Sequence, residues 1–99
     1  MDNRQLRAIG HNLKPVVIIG SGGLSEGVLA ELNRALNDHE LIKVKIGSDD
    51  REVRAALIEK MAQDSGAEVI QKVGKMALLL RRNSKPNPRT SNLVRGLSG

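Results

Sequence analysis

The first 82 residues alternate between helical and strand periods of hydrophobic and polar positions. Apolar residues recur at spacings of three and four before Pro15, which predicts a short helix over residues 3–12. This helix ends at Lys14-Pro15, because the residue before a proline is disfavoured in the helical conformation. Four consecutive β-branched residues, 16–19, then predict a short buried strand.

The next segment combines a helical stripe with a strictly alternating strand. Residues 25–39 predict a second helix, whose apolar stripe is Val28, Leu29, Leu32, Ala35 and Leu36. Residues 41–46 alternate from Ile42 onward, so Ile42, Val44 and Ile46 are expected to face inward. Lys43 and Lys45 are therefore expected on the opposite face of this strand.

A third helix and a hairpin complete the pattern. Asp49 and Glu52 have capping-box spacing with Asp49 as the cap, and Gly66 is a plausible C-terminal stop. The buried stripe expected for this helix is Val53, Ala56, Leu57, Met61 and Ala62. Two strands, 68–73 and 76–81, follow and are joined by the two-residue turn Gly74-Lys75.

These elements predict one α/β domain over residues 1–82 in the order α-β-α-β-α-β-β. Residues 83–99 contain Pro86 and Pro88 among Ser, Asn and Thr residues, which is typical of a flexible segment. We therefore expect a flexible basic tail over residues 83–99 that contributes no core residue. At 99 residues, the chain is long enough for a single core.

The turn after the first strand is the main candidate for chemistry. Gly20-Ser21-Gly22-Gly23 leads into Ser25, whose hydroxyl is suited to cap the second helix. Glycines let backbone N–H groups approach a ligand, and a helix N-terminus adds unpaired N–H donors with partial positive charge. This turn therefore predicts a seat for phosphate oxygens, although a purely structural strand-to-helix turn would use the same residues.

Charge and composition restrict the class of ligand. The net charge is +5, and residues 81–99 hold five basic residues and no acid, while residues 1–80 hold eleven of each. From this distribution of charge, we expect the protein to present one basic surface to a polyanion. The absence of Phe, Tyr and Trp excludes recognition by bases stacked on aromatic rings. The absence of Cys excludes disulfides and thiolate metal sites. No apolar run is long enough for a membrane span, so we expect a cytoplasmic protein. We also expect no cofactor and no metal.

The whole pattern resembles the YhbY-type CRM domain, named for chloroplast RNA splicing and ribosome maturation. The resemblance covers residues 3–82 and rests on segment 13–20 leading into Gly23-Leu24, on segment 39–46, and on the closing strand from Val73 to Arg81. It implies a four-stranded mixed sheet packed with helices, like the C-terminal domain of translation initiation factor three with an extra first helix. It also implies RNA binding and, in bacterial stand-alone members, association with precursors of the large ribosomal subunit. We therefore expect a non-enzymatic, monomeric RNA-binding protein that assists assembly of this subunit.

The family's G-x-x-G loop corresponds to Gly20, Ser21, Gly22 and Gly23, with a glycine at the second variable position where members often carry a polar or basic side chain. Leu80 stands where many members have an aromatic residue before the terminal arginine. The glycine loop is therefore expected to hold the RNA backbone within a basic surface. The residues expected to form that surface are Lys14, Lys43, Lys45, Arg81 and Arg82.

Two other classes of function remain open from the residues alone. Gly20-x-Gly22-x-x-Ser25 comes close to a dinucleotide-binding loop, but Ser25 replaces Gly or Ala. The second strand also ends in Ile46-Gly47-Ser48, with no acid where a ribose hydroxyl would be held. No Gly-Lys-Ser/Thr follows the turn, which argues against a P-loop. A protein-binding adaptor whose acidic helices face a partner is the third interpretation. His11 and His39 are expected at helix ends, in capping or surface roles.

Overall fold

The structure, a computed structural model, describes residues 2–94 and contains the seven predicted elements in the predicted order. The helices are α1 (Asn3–His11), α2 (Glu26–His39) and α3 (Arg51–Ser65), and the strands are β1 (Pro15–Ile19), β2 (Leu41–Ile46), β3 (Glu68–Val73) and β4 (Met76–Leu80). No helix within residues 2–94 has the length and apolar character needed to cross a membrane.

The four strands form one mixed sheet in the order β1-β2-β4-β3. β1 and β2 run parallel, whereas β4 pairs antiparallel with both β2 and β3. The predicted hairpin turn is confirmed, with Gly74 in the left-handed region at φ 56°. The carboxyl ends of β1 and β2 therefore share one edge with the β3–β4 turn, and we call this the glycine edge because Gly20–Gly23 lies there.

One face of the sheet packs against α2 and α3. Ile42, Val44 and Ile46 point into this layer, as the alternation in β2 predicts. The cluster is formed by the buried residues Val17, Ile19, Leu32, Leu36, Ile42, Val44, Ile46, Ile58, Met61, Ala77 and Leu79. Lys43 and Lys45 consequently lie on the opposite face, also as predicted.

The opposite face packs against α1. Leu6 is buried in a second cluster with Leu41, Ile70, Leu78, Leu80 and Leu93, and Ile9 and Leu13 pack against it. Helix α1 approaches the sheet closely at Gly10, where an added Cβ would lie 2.5 Å from Leu78 Cδ2. Only glycine fits this contact without displacing a side chain.

Two details of α3 differ from the expectation. The N-cap of α3 is Asp50, not Asp49, because Asp50 Oδ1 accepts hydrogen bonds from the N–H groups of Glu52 at 2.9 Å and Val53 at 3.3 Å. The buried face of α3 contains Ile58, Met61 and Ser65, whereas Val53 is 44% exposed.

The first strand is not buried on both faces. Val17 and Ile19 are buried against α2 and α3, but Val16 and Ile18 are 48% and 62% exposed. They face the side of α1, which covers only part of the sheet. A continuous apolar run cannot distinguish a strand covered on both faces from one covered on a single face.

Residues after the last strand contribute to the core, so the prediction that they do not is wrong. Leu93 is 5% exposed and belongs to the second cluster, and Ser91 is fully buried. Ser91 Oγ donates to Glu40 Oε1 at 2.6 Å, and the N–H of Asn83 donates to Glu40 Oε2 at 2.7 Å. Asn83 and residues 90–93 thus contact the domain, whereas residues 84–89 between them are exposed. Residues 95–99, including Arg95, fall outside the described residues.

Candidate nucleic-acid interface

The glycine turn is a tight turn that delivers the chain from β1 to α2. The N–H of Gly23 donates to the carbonyl oxygen of Gly20 at 3.1 Å, and the N–H of Ser25 donates to that of Gly23 at 3.2 Å. Gly23 has φ +70°, a left-handed conformation that favours glycine. Gly23 therefore has a structural reason to be glycine.

Gly20 and Gly22 have no such reason within the fold. Neither has φ in the left-handed region, and a Cβ built on either would have no atom within 4 Å. The space above both residues is open to solvent. The missing side chains therefore leave the backbone of the turn accessible to a close-lying ligand.

Two helix N-termini meet the glycine edge, and they are capped differently. Ser25 Oγ accepts from the N–H of Val28 at 3.2 Å, which confirms Ser25 as the cap of α2. Asp50 satisfies two N–H groups of α3 and adds a negative charge. The N-terminus of α2 is therefore the less fully capped of the two and better suited to an anion, although Glu26 lies in its first turn.

The turns after β1 and β2 contact each other. The N–H of Gly47 donates to the carbonyl oxygen of Ile19 at 2.8 Å. An open depression of about 360 Å³ lies between these turns and α3, lined by Gly20, Ser21, Gly23, Gly47, Ser48, Val53 and Leu57. Its backbone-rich wall and its aliphatic floor from α3 leave room for a sugar-phosphate group next to the glycine turn.

An ion pair ties the β3–β4 turn to the start of α3. Lys75 Nζ lies 2.6 Å from Asp49 Oδ1. The hydrogen bond from Lys75, followed by its charge, lowers the pKa of the Asp49 carboxyl below its usual value. The carboxyl is fully exposed, so water screens this pair. Lys75 is thus engaged with an acid at the glycine edge.

The two lysines of β2 lie on the face of the sheet that α1 partly covers. Lys45 pairs in register with Ile18 on β1, two residues before the glycine turn. Lys43 is half-buried and lines a depression next to the end of α1. Of the five predicted basic residues, Lys45 lies nearest to the glycine edge, and Lys43, which pairs with Pro15 at the start of β1, lies one row farther from it.

Lys14, Arg81 and Arg82 lie at the other edge of the sheet, so the expected single basic surface around the glycine turn is not formed. Lys14 precedes β1, whereas the two arginines follow β4, which runs antiparallel to β2. Strands of five or six residues separate the two edges by about 20 Å.

Arg81 is engaged inside the fold. Its Nη1 donates to Asn33 Oδ1 and to the carbonyl oxygen of Ser65, each at 2.7 Å. Its Nη2 donates to the carbonyl oxygen of Asn33 at 3.0 Å and to Asn37 Oδ1 at 2.9 Å. The guanidinium therefore joins the C-terminal halves of α2 and α3, whereas Arg82 is exposed.

A second group of cations near the glycine edge was not predicted. Arg51, Arg54 and Lys72 line an open groove of about 440 Å³ between the start of α3 and the edge strand β3. Arg54 Nη1 also donates to the carbonyl oxygen of Ser48 at 3.0 Å. The only signal in the sequence is the i,i+3 spacing of the two arginines in the first turn of α3, which places them on one side of the helix.

The histidines lie apart. His39 Nδ1 lies 2.8 Å from the carbonyl oxygen of Thr90, so this nitrogen carries the hydrogen, and His11 is in the last turn of α1. Within residues 2–94, no three His, Asp or Glu side chains are grouped as metal ligands would be. His39 thus attaches the C-terminal segment to α2.

Comparison with known families gives this geometry a context. Residues 1–81 match the model of the CRS1/YhbY (CRM) domain. The chain belongs to the CRM family. The resemblance to this family is thereby confirmed, and so is the fold class that it implied.

Several relatives of this CRM protein carry names that refer to RNA. A protein of Pseudomonas aeruginosa named "Probable RNA-binding protein" is 53% identical over 92 residues, covering 93% of this chain and 88% of the relative. A protein of Haemophilus influenzae named "RNA-binding protein" is 45% identical over 76 residues, which is 77% of each chain.

A solved structure has the same fold. It is the solution structure of a hypothetical protein of Staphylococcus aureus that has been suggested to bind RNA. It matches with a TM-score of 0.75 at 29% identity and covers 84% of this chain and 86% of that protein. The four-stranded sheet with its helices is therefore an arrangement that this CRM protein shares with a relative of known structure.

Proposed function

We propose that this CRM protein binds RNA of the large-subunit ribosomal precursor and assists assembly of the large ribosomal subunit. The observation that carries the binding proposal is the glycine turn, where Gly20 and Gly22 leave open backbone beside the N-terminus of α2. The RNA-binding names of the relatives support the ligand class. The CRM resemblance supports pre-ribosomal particles as partners. The protein acts in the cytoplasm, as a monomer and without catalysis.

The glycine turn holds the sugar-phosphate backbone in this proposal. Backbone N–H groups and the positive end of the α2 dipole favour a phosphate at this position. Lys45 and Lys43 contribute longer-range attraction from the adjacent face of the sheet. The turn carries no side chain that could read a base, apart from the Ser21 hydroxyl, so contacts at this point position the RNA rather than select its sequence.

Gly22→Asp tests the glycine turn. Because φ of Gly22 is outside the left-handed region and the space around it is empty, the substitution is expected to preserve the fold. A carboxylate in the phosphate position repels RNA, so we expect the affinity for a structured RNA fragment to fall by about tenfold or more.

Gly22→Ala is the matched control, because it adds a Cβ without charge and should weaken binding much less. Circular dichroism establishes that each variant is folded, and titrations at fixed salt compare the affinities. Titration with ATP and NAD tests the nucleotide-binding alternative on the same samples. A folded Gly22→Asp protein that binds RNA as tightly as the wild type would remove the turn from the mechanism.

The RNA target requires a measurement in growing cells. Ultraviolet crosslinking followed by sequencing of the attached RNA should recover segments of the large-subunit ribosomal precursor. Sedimentation should place the protein with particles that precede the mature large subunit. Recovery of messenger or small-subunit RNA in place of these segments would refute the ribosomal part of the proposal and leave RNA binding intact.

A further inference from the structure

One residue from each strand contributes to a row that crosses the whole sheet beside the glycine edge. The register pairs Ile18 with Lys45, Lys45 with Met76, and Met76 with Val73. Directly paired residues project to the same face of a sheet. Ile18, Lys45, Met76 and Val73, which we call the open row, therefore lie side by side on the face opposite α2 and α3.

Helix α1 covers the sheet only as far as the neighbouring row. Gly10 lies directly over Leu78, and His11 is the last residue of the helix. Beyond it lies an open depression of about 190 Å³ whose lining includes His11, Lys43, Val73 and Met76. The open row thus occupies the strip between the end of α1 and the glycine edge.

The open row is apolar apart from Lys45, and it is exposed at both ends. Ile18 is 62% exposed and Val73 is 61% exposed, and Val16, 48% exposed, adjoins Ile18 on the same face. Scattered apolar residues on a surface need no explanation, but contiguous ones indicate a binding surface. Lys45 in the row and Lys43 beside it select an anionic occupant.

We propose that the open row receives the bases of unpaired RNA whose backbone is held at the glycine turn, an inference that rests on the proposed function. Ile18 precedes Gly20 by two residues, so the nucleotide next to a phosphate at the turn reaches the row directly. Flat aliphatic surface accepts the face of a base, while Lys45 contacts the backbone. A duplex keeps its bases stacked inside and cannot make this contact, so the row makes the protein selective for single-stranded segments.

Methyl NMR provides a direct test, because the chain contains no Phe, Tyr or Trp. Apart from the rings of His11 and His39, a ring-current shift of a methyl group in the complex must come from an RNA base. With labelled Ile, Val and Met methyl groups, a single-stranded octanucleotide should shift the signals of Ile18, Val73 and Met76 upfield. An abasic octamer of the same length should not, and equal spectra with both ligands would overturn the proposal.

Affinity measurements on the double variant Ile18→Thr/Val73→Thr provide the second test. Threonine preserves the β-branched shape of an exposed strand residue, so the fold is expected to persist. Each methyl-sized apolar group lost from a contact weakens binding by about fourfold. With one such group lost at each residue, we expect the octanucleotide to bind roughly 16-fold more weakly, whereas the abasic octamer and a duplex bind as they do to the wild type.

The outcomes separate this inference from the proposed function. If Gly22→Asp abolishes RNA binding but the double variant binds the octanucleotide like the wild type, the glycine turn holds RNA and the open row does not contact bases. The row would then be a surface for a protein partner. If the double variant weakens the abasic octamer equally, the loss does not involve bases and the inference is again refuted.

Discussion

Leu93→Ala tests whether the segment after β4 is part of the folded domain in solution. Leu93 is 5% exposed and packs in the cluster that contains Leu6, Leu41, Ile70, Leu78 and Leu80. Composition alone predicts that this segment is flexible, and in that case truncation of Leu93 would leave stability unchanged. The structure predicts a substantial loss.

The magnitude follows from the burial. Leucine-to-alanine substitutions in cores cost about 2–5 kcal/mol, and sites that can relax lie at the lower end. The segment that carries Leu93 packs against only one side of the domain and can relax after the substitution. We therefore expect the free energy of unfolding to fall by about 2 kcal/mol. For a domain of this size, each kcal/mol lowers the midpoint of thermal unfolding by about 4–8 °C. The expected fall is therefore about 8–16 °C.

Circular dichroism at 222 nm is the appropriate measurement, because the chain has no Trp or Tyr for fluorescence. Arg89→Ala is the matched control, since Arg89 is exposed in the same segment and its backbone N–H, which the substitution retains, donates to Asn87 Oδ1 at 3.0 Å. Its midpoint should stay close to that of the wild type. A Leu93→Ala protein that melts with the wild type would show that residues 83–94 do not pack in solution.

The remaining predictions concern charges. Arg81→Ala should lower the free energy of unfolding by about 2 kcal/mol, because it leaves Asn33 and Ser65 without their donor, whereas Arg82→Ala should be neutral in thermal melts. Log affinity for single-stranded RNA should fall linearly with log salt at roughly −0.7 per phosphate contact, so about five contacts give a slope near −3.5 in titrations across salt concentrations. A nearly flat dependence would contradict phosphate binding. Glu26→Gln should strengthen RNA binding a few-fold at low salt, since it removes a negative charge from the first turn of α2; unchanged affinity would place the phosphate elsewhere.

Local patterns in the sequence predicted the elements well because their causes are local. The alternation in β2, the cap at Ser25 and the stop at Gly66 each depend on a few neighbouring residues. The predicted start of α3 is one residue too early, because Asp49 and Asp50 are both good N-cap residues. Asp49 instead pairs with Lys75, a contact between residues 26 positions apart that no local pattern reveals.

The candidate site could be predicted only in part, for the same physical reason. The glycine turn is contiguous, and its relation to α2 follows from chain connectivity. The position of Arg81 depends on the antiparallel direction of β4, which sends its C-terminal end away from the glycine edge. The packing of Leu93 depends on Glu40, a buried residue with φ 62° at the junction of α2 and β2, which accepts hydrogen bonds from Ser91 and Asn83.

The distribution of charge favours one side of the sheet for the approach of RNA in the proposed function. Helix α1 and strand β2 contain Arg4, Arg7, Lys43 and Lys45 and no acidic residue. Helix α2, on the other face of the sheet, contains three acids and one arginine. A polyanion is therefore attracted to the side of α1 and repelled by α2 itself, whereas Arg51, Arg54 and Lys72 attract it at the start of α3. The glycine edge borders both faces, so RNA seated on the turn should continue over the open row and not along α2.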